Sequence, residues 1–193
     1  YLYGRAWTLT VLAGDFSIAL LAGLAGLFFA SRVGSPCWWR LGIGAAARRQ
    51  ATLVSLALGL AVVVSNTVMV VTYNRRYTAQ FAQIAPWATL LTPVGASALA
   101  FRAALIENVV YRLLLFPLGS WVVGHFIRSR RAAFASGALF SALVCGFLHP
   151  GFGAAFLIGL ALVYICHQGG LLPAMAVHFF TDAIPLTALS VAL

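Results

Sequence analysis

Lysine is absent from this 193-residue chain, and acidic side chains nearly so: Asp15, Glu107 and Asp182 are the full set. With 8% charged against 63% hydrophobic residues and a mean hydropathy of +1.00, it lacks the roughly one-quarter charged composition of soluble domains. Cysteine is scarce as well. Cys37, Cys145 and Cys166 are odd in number, widely spaced and free of any CxxC pattern, which excludes a disulfide framework and a zinc ribbon. The apolar runs also lack the apolar/polar alternation of outer-membrane strands. What remains is an all-α, polytopic transmembrane helical bundle.

About 20 apolar residues cross a bilayer as helix. The spans read as Trp7–Ala30, Ala51–Thr72, a long region from Pro86 to Phe126, Ala132–His149, Gly153–Cys166 and Leu171–Val191. Pro86–Phe126 is too long for one upright helix, so it tilts, breaks near Pro93-Val94-Gly95 or opens with a re-entrant start. Six to eight helices are expected in a single domain, residues 1–193, because no repeat or linker divides them. The net charge of +9 invites a nucleic-acid reading until the arginines are placed. Arg32, Arg40, Arg48 and Arg49 fill one loop and Arg128, Arg130 and Arg131 another, which puts both in the cytoplasm, with Arg5, Arg75 and Arg76 outside. The bilayer, not nucleic acid, is the expected partner. Much Ala, Gly and Arg with no Lys points to a GC-rich genome and a prokaryotic cell membrane. The first residue, Tyr1 rather than Met, reads as a processed start, and the first apolar run has no signal-peptide cleavage site.

An ionisable side chain at the centre of a membrane helix costs about 2.5–3.5 kcal/mol, so polar clusters in apolar runs default to function. There are three: Glu107-Asn108 with Arg112, His149 one turn after Cys145, and His178 one turn before Asp182. Residues four apart share a helix face. Three helices thus each present a polar pair, and a bundle closing around them builds a site in its core. Each cluster also has a plainer account: a Glu107–Arg112 ion pair that fixes packing, His149 at an interface before Pro150, and His178 simply satisfying Asp182. Asp15 has no neighbouring motif and reads as a pairing or interface residue, while His125 and His167 beside loops receive no role. A transporter would bury similar groups, but no internal repeat or pair of interrupted helices supports one.

The order Ile106-Glu107-Asn108-Val109-Val110-Tyr111-Arg112, then Cys145-Gly146-Phe147-Leu148-His149, then His178-Phe179-Phe180-Thr181-Asp182 resembles three motifs of the CAAX protease and bacteriocin-processing (CPBP) family of intramembrane proteases, which includes the type II CAAX prenyl endopeptidases. Those motifs are EExxxR, FxxxH and HxxxN or HxxxD. The resemblance covers about residues 90–193, a CPBP-like catalytic core. Asn108 replaces the second glutamate, Cys145 the aromatic, and Leu113 the glycine that commonly follows the motif arginine.

The resemblance implies peptide hydrolysis in a membrane-buried cavity. Glu107 and His149 would polarise a water with Glu107 as general base, His178 and Asp182 would face the carbonyl oxygen, and Arg112 would orient the glutamate-bearing helix. Asn108 and Cys145 would stand beside these groups. An ionised Asp182 can only accept hydrogen bonds, so it works protonated or through His178 as a charged donor. Glu107, His149, His178 and Asp182 also make a set suited to Zn²⁺, with Cys145 as an extra ligand; no obligatory cofactor is expected and the metal question stays open. Substrates would be peptides or membrane proteins, prenylated or not. The alternative is a catalytically inactive scaffold of the same fold that binds a partner protein. Asp182 is further expected to give Arg112 the countercharge that a glutamate at 108 would supply.

Overall fold

The computed structural model describes residues 2–35, 45–72, 92–149 and 151–192. Cys37, Arg40, Arg75, Arg76 and the expected start of the long region at Pro86 lie outside the described residues, as do the side chains of Arg5 and Arg48. The helices are α1 (Leu2–Val33), α2 (Ala45–Thr72), α3 (Pro93–Glu107), α4 (Phe116–Phe126), α5 (Arg130–Leu148), α6 (Phe152–Gly169) and α7 (Leu171–Ala192). A π-helical segment, Asn108–Leu115, joins α3 to α4 without a break. The described residues therefore form six continuous rods and no strand. Five are long and apolar enough to cross a membrane, slightly below the expected six to eight. The remaining rod, α3 through α4, carries Arg102, Glu107 and Arg112.

Local chemistry sets the helix ends. Pro93 fills the first position of α3, where a missing N–H costs nothing, and Thr92 Oγ1 accepts from the Gly95 N–H at 3.1 Å. Ser129 caps α5 in the same way through the Ala132 N–H. The turn from α5 to α6 passes through Gly151 at φ +83°, where a side chain would be strained.

Lipid tails are as apolar as leucine, so these helices associate through close packing rather than hydrophobic burial. Small residues line the contacts: Ala96, Ala100 and Ala104 of α3 and Ala142 of α5 are buried. A Cβ on Gly26 of α1 would lie 2.6 Å from the Leu113 carbonyl oxygen in the π segment, and one on Gly59 of α2 would meet Val177 of α7 at 2.7 Å. Large apolar side chains such as Phe16, Leu21, Leu60, Phe147 and Leu157 point outward, as a lipid-facing surface requires. Arg32 at the end of α1, Arg128 just before α5 and Arg130 at its start border one cavity of about 740 Å³.

Candidate active site

Glu107 is the last residue of α3, and the rod widens immediately after it. Pro117 lies just past the widened stretch; its ring would crowd the Leu113 carbonyl of a regular α ladder, and the looser turn gives that carbonyl room. The segment ends where the Phe116 N–H bonds the Tyr111 carbonyl five residues back. Arg112 uses the same spacing, its Nη1 reaching the Glu107 carbonyl at 3.5 Å. Ser141 of α5 donates to the Tyr111 carbonyl at 2.6 Å, tying the segment to the neighbouring helix.

The widened turn aims Glu107 between two histidines. His149, at the C-cap of α5, places Nε2 3.3 Å from the carboxylate, and His178 of α7 places Nε2 3.7 Å from Oε2. His178 Nε2 also lies 3.3 Å from Asp182, one turn on. The other ring nitrogen of His149 is 2.7 Å from the Cys145 carbonyl, which can only accept, so Nδ1 carries a proton. Nε2 and the carboxylate then need one shared proton, or a bridging donor, between them. Glu107, Arg112, Cys145, His149, His178 and Asp182 all border one cavity of about 310 Å³, with Arg102, Asn66 and Pro185 at its sides. Asn108 is fully buried beside it, its amide 2.9 Å from His178 Nδ1.

One expected pairing is not made. Arg112 is buried with its guanidinium 5.3 Å from the Tyr111 ring centre, while Nε and Nη2 have no hydrogen-bond partner among the described residues. Asp182 pairs with His178 rather than Arg112. A direct Arg112–Asp182 contact is absent among the described residues, although both side chains border the same cavity. The metal set also differs from the one expected. Glu107, Cys145 and His149 each bring a donor atom within 4.8 Å of the others, whereas His178 and Asp182 are not part of that trio. Its oxygen, sulfur and nitrogen donors fit zinc chemistry, and His149 donates its second nitrogen to a carbonyl as metal-ligating histidines do.

The sequence reading misses the role of Asn66 and the partner of Asp15. Pro185 cannot donate to the Thr181 carbonyl four residues back. Asn66 of α2 takes that carbonyl at 2.8 Å, fixing the Asp182 turn; the signal was a lone amide in an uncharged span. Arg102 pairs with Asp15 through Nε and through Nη2, the latter at 2.7 Å, so Asp15 is a pairing residue and ties α1 to the cavity edge. A second hollow of about 330 Å³ lies between α2 and α6, lined mostly by aliphatic side chains and sharing Asn66, Met69, Ala154 and Ile158 with the lining of the cavity. Cys145 and Cys166 are both buried.

Fold and site together define an all-α, multi-pass membrane protein with ionisable side chains gathered around a cavity between its helices. Residues 85–184 match the family model described as Type II CAAX prenyl endopeptidase Rce1-like. That is just over half of the chain, which belongs to this protease family. No curated protein and no solved structure matches it.

Proposed function

We propose that this protein is an intramembrane endopeptidase that cleaves a peptide bond with a water activated by Glu107 and His149. The reading rests chiefly on the Glu107 carboxylate, held 3.3 Å from one histidine and 3.7 Å from another inside an interhelical cavity. A water between Glu107 and His149 gives a proton to the carboxylate as its oxygen attacks the carbonyl carbon. The oxygen of that carbonyl, now negative, accepts from the Nε2–H of His178, which has two carboxylates near it in the resting site and exchanges one for the substrate. Glu107 then passes its proton to the departing amine. Arg112 keeps the turn that aims Glu107, through the Glu107 carbonyl. Should zinc bind, Glu107, Cys145 and His149 would hold it and it would supply Lewis-acid polarisation of the water.

The mostly aliphatic hollow between α2 and α6, whose lining shares Asn66, Met69, Ala154 and Ile158 with the cavity, supports a substrate that arrives from the bilayer. Peptides or membrane proteins with an apolar stretch beside the cleaved bond are the substrate class it suits. The second reading, an inactive scaffold, draws support from Asn108 in place of an acid. Wild-type and Glu107→Gln protein in liposomes, incubated with membrane-protein extracts and compared by peptide mass spectrometry, separate the two. Cleavage products found only with wild type carry the protease; identical peptide maps leave the scaffold.

A further inference from the structure

Asn108 stands where the resembling motif has its second acid, and its amide nitrogen has two hydrogens with two acceptors in reach. The Ala104 carbonyl lies at 2.6 Å and His178 Nδ1 at 2.9 Å. The carbonyl settles which way the amide points: an oxygen that can only accept needs the NH₂ group beside it, not Oδ1. The second hydrogen then faces Nδ1, which must offer a lone pair. We propose that Asn108 is a positioning residue that holds His178 as the neutral Nε2–H tautomer, so that the ring presents an uncharged donor to the reacting carbonyl. The tautomer stands on geometry alone; its use in catalysis rests on the protease reading above.

Of the two sequence readings of Asp182, protonated or working through His178, the second makes His178 charged. An imidazolium would set Nδ1–H against the amide NH₂, and turning the amide to offer Oδ1 would put two acceptor oxygens 2.6 Å apart at Ala104. A carboxylate at 108 would instead accept from Nδ1–H and hold the ring charged. The other groups facing His178 are Glu107 and Asp182 at Nε2, with Arg102, Arg112, Cys145 and His149 lining the same cavity; among the described residues α2 and α6 bring no charged side chain to it. Neutrality matters for Glu107. A second imidazolium 3.7 Å from Oε2 would compete for the carboxylate that must accept the water proton, leaving it a weaker base.

Nitrogen NMR of histidine-labelled protein in detergent at neutral pH reads this directly, with the His178 signals identified by their loss in His178→Gln. Wild type should show one protonated and one unprotonated nitrogen, the proton on Nε2. Asn108→Asp should shift His178 to the doubly protonated form, and in a cleaving enzyme lower kcat with KM unchanged. Asn108→Leu, which removes the donor, should let the Nδ1–H tautomer appear. A wild-type ring protonated on both nitrogens or on Nδ1 overturns the proposal, as does an Asn108→Asp spectrum identical to wild type. The wild-type spectrum decides even if neither variant folds. Absence of cleavage beside an Nε2–H signal would sink the protease reading and leave the tautomer assignment standing.

Discussion

Gly26→Ala tests the closest approach that α1 makes to the site. The added Cβ would sit 2.6 Å from the Leu113 carbonyl oxygen and 2.8 Å from both its carbonyl carbon and Cγ. Carbon and oxygen settle at about 3.3–3.6 Å, so α1 and the π segment must separate by roughly 0.7–1.0 Å. A backbone carbonyl cannot swing aside as a side-chain tip can. Overpacking of this kind costs about 1–3 kcal/mol. Alanine also gains about 0.8–1 kcal/mol of helix propensity over glycine, which masks part of the loss. Gly14 of the same helix has nothing within 4 Å of an added Cβ, so Gly14→Ala receives the propensity gain alone. The difference between the two variants in denaturant unfolding from detergent therefore isolates the packing cost, expected at about 1–3 kcal/mol. Cleavage should fall with Gly26→Ala, whose displaced Leu113 adjoins Arg112, and not with Gly14→Ala. Equal shifts of the same sign in both variants would refute the close approach.

Asn66→Leu should destabilise by about 1–3 kcal/mol by stranding the buried Thr181 carbonyl, and adding Pro185→Ala should restore most of it by returning an N–H to that carbonyl; a double variant no better than the single would show that the bond is not what ties α2 to α7. Glu107→Gln should abolish cleavage while leaving thermal unfolding within about 1 kcal/mol. His149→Ala should do likewise, and the double variant should be no worse than either, because both act on one water; additive losses would separate their roles. Exhaustive chelation should leave cleavage intact. Loss of activity restored by zinc at one ion per chain, and weakened by Cys145→Ser, would instead place the metal in the Glu107, Cys145 and His149 trio.

Hydropathy carries the architecture well because a bilayer admits only helices and closed barrels, and the unalternating apolar runs locate α1, α2, α5, α6 and α7 to within several residues: Trp7–Ala30 became Leu2–Val33, and Gly153–Cys166 became Phe152–Gly169. Polar residues were conspicuous against that background, so Glu107, His149, His178 and Asp182 could be singled out before their distances were known. Their pairing could not. Whether Asp182 meets Arg112 or His178 depends on the rotation of one helix against another, which residue spacing does not fix, and the α3–α4 rod departs from α periodicity at that point. Asn66 and Asp15 were hidden for a related reason: their partners, Thr181 and Arg102, lie 115 and 87 residues away.

The π segment has a consequence for how this chain tolerates change. Insertion into a membrane reads apolarity over a span, and losing one residue between Val109 and Tyr111 hardly alters it. Register is another matter: in a regular helix each residue removed turns everything beyond it by about 100°. The widened turn is the exception, since it already holds more residues than an α turn, and a deletion there closes it toward a regular turn with α3 and α4 kept close to their faces. What the variant would lose is the five-residue reach by which Arg112 meets the Glu107 carbonyl, so it would insert and fold like its parent with its carboxylate less firmly aimed.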